Sequence, residues 1–176
     1  KTAALPHVFV DMRHGWAEEL VVAPSGAVDE FRRKRARNDY PLMALWEMGL
    51  PGLRVPIQDL ADPRIRRRME LMADLGHRFQ VYLYGMPDER KLLAEHAGLV
   101  DRLELVLNWE DVGDLATDIQ TLKAETGIAI HLSRVNRKDG AKHTGSRFNH
   151  LISHGFTLSE TDELKSFFQT HPGLVD

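Results

Sequence analysis

The feature that most constrains the fold is an alternation of apolar and polar side chains within short runs that are separated by helix-like segments. The runs are residues 7–13, 53–58, 79–84, 103–108 and 128–133, with 20–23 as a weaker sixth. A period of two is typical of a strand with one buried face. The last four of the five stronger runs recur about every 25 residues, close to the minimum for a strand, a helix and a parallel strand. The sequence therefore predicts a parallel α/β sheet.

Capping residues and glycines mark the helices between these runs. Asp62 and Pro63 form a typical helix start, and Gly76 stands where a helix-ending glycine belongs. Two further helices are predicted to start at Asp88 and at Asp111 or Asp114, the second ending at Gly127. Helices are also expected at 28–38, 42–48 and 148–154, and after a Ser159 cap with Asp162 at its third position.

The polar side chains of the strands favour one kind of parallel sheet. A sheet covered on both faces has continuously apolar strands, whereas Gln80 and Tyr82 alternate here with Val81 and Leu83. If all the helices lie on one side, the sheet curls and its inner face lines a lumen. We therefore expect a TIM-like (β/α) barrel or a partial, open barrel with its helices on the outer face. The length of 176 residues favours the partial form, because eight units need about 200 residues or more.

Length also predicts a single α/β domain over residues 1–176, since one domain takes about 150 residues. The chain starts at Lys1, close to its first strand, and ends just after a Pro-Gly helix stop. These abrupt ends leave open that the chain is an excised segment of a longer one.

Composition excludes several classes. The sequence has no cysteine, which removes disulfides and thiolate metal sites. It also lacks an apolar run of about 20 residues, so we expect no membrane span. The net charge of -3 argues against nucleic acid as a partner, and the basic runs at 32–37 and 64–68 are interpreted as solvated helix faces. We expect a cytoplasmic protein.

Chemistry is expected where the carboxyl ends of parallel strands converge. Carboxylates and a histidine there can transfer protons, arginines can bind an anion, and aromatic or polar side chains can hold a substrate. The catalytic candidates are Asp11, Glu104, Glu110 and His131. The candidates for substrate binding are Arg13, Gln58, Tyr82, Tyr84, Asn108, Trp109, Ser133 and Arg134.

A divalent metal ion is the cofactor that these residue types suggest, with Asp11, His14 and His131 as its candidate ligands. His150 and His154 are spaced by four residues, but without an intervening glutamate they are better interpreted as helix-surface histidines. The loop at 138–147 is rich in glycine and cations and could form a lid, although it lacks the phosphate-binding P-loop pattern.

The function predicted from the polar strand ends is that of a hydrolase or an isomerase acting on a small sugar-like or phosphorylated compound. The alternative is a non-catalytic accessory or binding domain of a larger hydrolase, such as a metallophosphoesterase. The partner is then a small polar molecule. Pairing of two copies through their polar faces, or with another part of a longer chain, remains a third possibility.

Overall fold

A computed structural model describes residues 8–12, 16–17, 19–21, 35–37, 39–135 and 154–174. The strands are β1 (Phe9–Asp11), β2 (Glu19–Val21), β3 (Arg35–Arg37), β4 (Gly52–Pro56), β5 (Arg78–Tyr84), β6 (Val100–Leu107) and β7 (Ile130–Arg134). The helices are α1 (Tyr40–Glu47), α2 (Ile57–Ala61), α3 (Pro63–Asp74), α4 (Arg90–Glu95), α5 (Ala116–Thr126) and α6 (Thr161–Thr170). Short 3₁₀ turns occupy Ala97–Leu99, Trp109–Asp111 and Leu158–Glu160.

The α/β fold with a parallel sheet is confirmed. Five strands form one sheet in the order β1-β4-β5-β6-β7, while β2 and β3 pair antiparallel outside it. A closed TIM barrel is not confirmed, because the sheet of the described residues has five strands and is not closed. Chain contacts divide the molecule into two compact units, Lys1–Gln80 and Val81–Asp176.

In the first unit, β1 and β4 run parallel with Phe9 opposite Gly52 and Asp11 opposite Arg54. Leu53 and Val55 are fully buried on β4. Gly52 is required by the close approach of the strands, since a Cβ there would lie 2.3 Å from the carbonyl oxygen of Val8. The close backbone contact thus fixes the spacing of β1 and β4, and the buried side chains of β4 form the core beside them.

Two predictions in the first unit are wrong. Residues 35–37, predicted within a helix, form β3, because Arg35–Arg37 pairs with the β2 segment. Pairing with a partner strand overrides a weak helix preference. Strand β4 ends at Pro56, which precedes the first helical residue of α2, so Gln58 lies exposed on that helix instead of on a strand. The part of the predicted helix at 28–34 lies outside the described residues.

Helix α3 begins as its sequence predicts. The Asp62 side chain accepts a hydrogen bond of 2.8 Å from the backbone N–H of Arg64, and Pro63 takes the first helical position. The Arg64 guanidinium also donates to Asp62 at 3.2 Å. These bonds from the Arg64 side chain and backbone lower the pKa of Asp62 below its usual value. Cap and charge therefore act together at this end of the helix.

In the second unit, β6 differs from its prediction. The apolar residues Leu103, Leu105 and Leu107 are buried as expected, but Glu104 and Val106 on the other face are buried too. The face predicted to point into a wet interior is therefore closed at this strand. On β5 the predicted alternation is confirmed, with Val81 and Leu83 buried and the intervening side chain half-buried.

Three of the four helices predicted in the second unit are present among its described residues, as α4, α5 and α6, but two of them begin differently from their predictions. Helix α5 ends at Gly127, which adopts a φ of 66°, as predicted for a helix-ending glycine. Helix α4 is preceded by Glu89 instead of Asp88. Thr157 and Glu160 form the capping box before α6, so the predicted Ser159 cap is wrong. His154 pairs with Val135 in an antiparallel bridge, and the rest of the helix predicted at 148–154 lies outside the described residues.

Among the residues described, none of the helices combines the length and the apolarity that crossing a bilayer requires.

Gly52→Ala should lower the free energy of unfolding by about 1–3 kcal/mol, because the new methyl group overlaps the Val8 carbonyl and forces β1 and β4 apart. Gly98→Ala is the matched control, since a Cβ at that position meets no atom within 4 Å. Urea unfolding of both variants measures the difference. Equal stability of the two variants would contradict the tight β1–β4 contact.

The charge of Asp62 should make the stability of α3 depend on pH. Because its pKa is lowered in the folded protein, the ionised carboxylate contributes stability above its unfolded pKa of about 3.9, and this contribution disappears as the pH falls through the lowered value. Asp62→Asn keeps a good capping side chain but removes the charge. The wild type should therefore unfold at higher urea concentration than Asp62→Asn at pH 7, and the difference should shrink at acidic pH. A difference that stays constant with pH would count against the role of the charge.

Candidate functional site

The candidate site of the second unit is centred on Glu104 in β6. This side chain is only 4% exposed and lies in register with His131 of the neighbouring strand β7. The hydroxyl of Ser133, two residues further along β7, donates a hydrogen bond of 2.7 Å to Glu104 Oε1. A buried carboxylate is costly unless it is hydrogen-bonded. The parallel register of β6 and β7 therefore places Ser133 where its hydrogen bond offsets part of the cost of burying Glu104.

His154 completes the cluster from a distant part of the sequence. Its Nε2 lies 3.6 Å from the same oxygen, Glu104 Oε1. The imidazole is stacked with the Tyr82 ring at 6.4 Å and an interplanar angle of 20°, and it meets the Tyr84 ring edge-on at 6.3 Å. We call these residues the Glu104 cluster: Tyr82, Tyr84, Glu104, Ser133 and His154.

The geometry of the Glu104 cluster supports proton transfer more than nucleophilic attack by serine. In a serine nucleophile the hydroxyl hydrogen bonds to a histidine that takes its proton. Here the Ser133 hydroxyl donates to Glu104. Glu104 and His154 are both titratable groups, and they face each other across 3.6 Å. The cluster thus places side by side a carboxyl group and an imidazole, two side-chain types that serve as acids and bases in enzymes.

Arg134, predicted to bind a substrate anion, is engaged by the protein's own carboxylates. Its guanidinium donates a hydrogen bond to Glu160 and lies 3.9 Å from Glu163. It also lies 5.9 Å from the centre of the Phe156 ring. The Glu160 carboxylate therefore occupies a position that an anionic ligand would otherwise take.

The residues that follow β6 take part in other contacts. Asn108 donates to Asp111 at 3.2 Å, and Glu110 is exposed on the 3₁₀ turn. Trp109 packs against Phe156 and Phe167, with ring centres 4.7 and 4.6 Å away. The described contacts of Asn108 and Trp109 belong to a turn and an aromatic cluster, and the functional roles of these two residues and of Glu110 remain predictions.

In the first unit, the predicted catalytic residue Asp11 forms an ion pair with Arg54. The atoms Arg54 Nη1 and Asp11 Oδ1 are 3.2 Å apart, and the arginine is 7% exposed. A buried arginine requires such a partner, so the pair has a structural explanation. The candidates Arg13 and His14 lie outside the described residues.

The metal prediction gains no support from the part of the chain that the structure describes. Within it, no three His, Asp or Glu side chains are grouped closely enough to hold a metal ion. Of the three predicted ligands, His14 is outside these residues, Asp11 pairs with Arg54, and His131 lies in register with Glu104.

An open groove of about 490 Å³ lies elsewhere in the second unit, at the end of α5. It is lined by Gln120, Lys123, Ala124, Gly127, Ile128, Ala129 and Gly173. Since neither a carboxylate nor an imidazole lines it, this groove does not offer the acid–base groups that the Glu104 cluster holds.

His154 is the site residue that sequence reasoning missed. Its spacing from His150 predicts two histidines on a helix surface. Instead, His154 lies at the end of β7, where it forms a backbone bridge with Val135. The two bridged residues are separated by 19 positions, and periodicity reports only neighbours along the chain. The pattern contains no signal that would have placed His154 beside Glu104.

Comparison with known proteins supplies no family for this chain: no family model, curated protein or solved structure matches it.

Ser133→Ala should lower the free energy of unfolding by about 1–3 kcal/mol, because it leaves a buried carboxylate without its hydroxyl donor. Thr121→Ala is a suitable control, since it removes an exposed hydroxyl that bonds only a helix carbonyl. Chemical unfolding at pH 7 gives both values. If the two variants lose the same stability, the Ser133 hydroxyl does not stabilise buried Glu104.

Proposed function

We propose that the Glu104 cluster is an acid–base site for a small sugar-like molecule and that the chain acts as a hydrolase or an isomerase. The observation that carries this proposal is the Glu104 carboxylate, which is 4% exposed and has a hydroxyl and an imidazole beside one of its oxygens. Carboxyl groups in such environments are typical acids and bases of enzymes.

Two proton-transfer groups are what either reaction needs. In hydrolysis, one group gives a proton to the leaving oxygen while the other takes a proton from the attacking water. In isomerisation, one group takes a proton from the carbon beside a carbonyl and the other gives a proton to the carbonyl oxygen. Glu104 and His154 are the pair proposed for these steps. His131, in register with Glu104, and the exposed Glu110 keep their predicted catalytic roles as proposals.

The aromatic residues and the arginine support a preference for an uncharged sugar-like compound. Tyr84 is 49% exposed, and its ring lies edge-on to those of Tyr82 and His154, so it offers a surface on which a ring of low charge can pack. A phosphorylated compound would need a free cation, whereas Arg134 is paired with Glu160. The proposal therefore favours the sugar-like member of the predicted substrate class.

A non-catalytic accessory domain of a larger hydrolase is the second candidate. It is favoured by the low exposure of Glu104 and by the hydrogen bond that already satisfies its carboxylate. A network of this kind can serve structure alone.

The partial barrel remains our proposal for the wider architecture, supported by the alternating burial along β5.

Glu104→Gln should reduce turnover by roughly 10²–10⁴-fold, because the amide cannot transfer the proton. The assay follows hydrolysis of a panel of 4-nitrophenyl glycosides and interconversion of aldoses and ketoses. Glu95→Gln provides the matched control, since Glu95 is exposed and pairs with Lys91 on α4.

Full activity in Glu104→Gln would contradict the acid–base proposal. If the wild type binds sugars in a calorimeter but turns none over, and Glu104→Gln binds them equally well, the accessory-domain interpretation is correct instead.

A further inference from the structure

We infer that Arg134 and Glu160 are a positioning pair, which holds residues 154–160 against the end of β7 and thereby keeps His154 beside Glu104. The inference rests on the proposed function, because it assigns the pair to the Glu104 cluster. It also gives Arg134 a different role from the anion binding that its position in the sequence predicts.

The Glu160 carboxylate joins two parts of the chain through its two oxygens. Oε1 accepts a hydrogen bond from Arg134 at the end of β7. Oε2 accepts from the backbone N–H of Thr157 and, at 2.8 Å, from the Thr157 hydroxyl. Thr157 lies three residues beyond His154, so one side chain ties the segment carrying this histidine to β7.

The backbone and the side chain of Arg134 contact the same segment. The Arg134 carbonyl accepts a hydrogen bond of 3.0 Å from the N–H of Gly155. Its guanidinium lies 5.9 Å from the centre of the Phe156 ring, and the adjacent Val135 bridges to His154. His154 thus stands at the start of a short stretch that is held at three successive points.

The ion pair is sheltered enough to act as an anchor. The side chains of Arg134 and Glu160 are 23% and 12% exposed, and charge-assisted hydrogen bonds are stronger and less screened when partly buried. Glu163 also faces Arg134, at 3.9 Å, but it is 58% exposed. A contact of that kind contributes little, which makes Glu163 the natural comparison.

The test compares Glu160→Gln with the control Glu163→Gln in the whole chain. Diethyl pyrocarbonate modifies accessible histidines, and mass spectrometry gives the rate at His154. The side chain of His154 is 15% exposed, so the wild type should react slowly there. Glu160→Gln should raise the rate at His154 severalfold, whereas Glu163→Gln should leave it unchanged.

Proton NMR supplies a second readout that loss of stability alone would not move. The ring protons of His154 should be shifted upfield by the stacked Tyr82 ring, and Glu160→Gln should remove this shift at a temperature where both proteins are folded. His154→Asn identifies the signal. A signal and a modification rate that match the wild type would overturn the inference.

Arg134→Gln should change the same two measurements, and the double variant should change them no further, because residues that act as a pair are not additive. Additive effects would contradict a positioning pair. Should Glu160→Gln fail to fold, Thr157→Val removes the hydroxyl that contacts Glu160 and Ser159 while keeping the backbone N–H contact with Glu160. This variant should raise the rate at His154 by a smaller factor; an unchanged rate would overturn the inference.

None of these measurements needs a substrate, so they separate this inference from the proposed function. If no sugar is turned over but His154 responds to Glu160→Gln, the positioning pair stands and the catalytic proposal falls. If turnover is found, Glu160→Gln should lower kcat with KM unchanged, since Glu160 holds His154 and is not proposed to touch the substrate.

Discussion

The arrangement of the candidate site in the second unit depends on the burial of one carboxylate in the middle of a strand. Glu104 lies between buried leucines on β6, where an unsatisfied charge would be expensive. The Ser133 hydroxyl and the His154 imidazole lie beside it because β7 runs parallel to β6 and because residue 154 bridges to the end of β7. The same contacts that satisfy the carboxylate bring together the groups proposed for chemistry.

This arrangement makes the C-terminal segment part of the site. Helix α6 has no buried side chain, yet the stretch before it contributes His154. Two sets of contacts hold the segment: the hydrogen bond of Glu160 with Arg134, and the packing of Phe156 and Phe167 on Trp109. Trp109 and Arg134, which the sequence offers as ligand contacts, are used to dock this segment. The contacts of both residues with this segment support the positioning role that we infer for Arg134.

The first unit satisfies its buried charges separately. Arg54 is buried on β4 and pairs with Asp11 of β1, while Arg68 of α3 pairs with Asp39 just before α1. Trp16 is buried, donates to Asp59 at 2.8 Å and packs on Phe79. Composition alone would assign these charged residues to the surface. The two arginines can be buried because each has a carboxylate partner.

The order of helices and strands along most of the described chain could be predicted from the sequence, because capping residues and alternation with a period of two are local signals. The start of α3 at Asp62, the end of α5 at Gly127 and the buried face of β5 are of this kind. The same alternation singles out the polar residues Tyr82, Glu104 and Ser133 as candidates. The order of the strands in the sheet, the strand at Arg35–Arg37 and the position of His154 were decided by tertiary structure. Each depends on pairing between residues distant in the sequence, and the free energy of that pairing is absent from any local pattern.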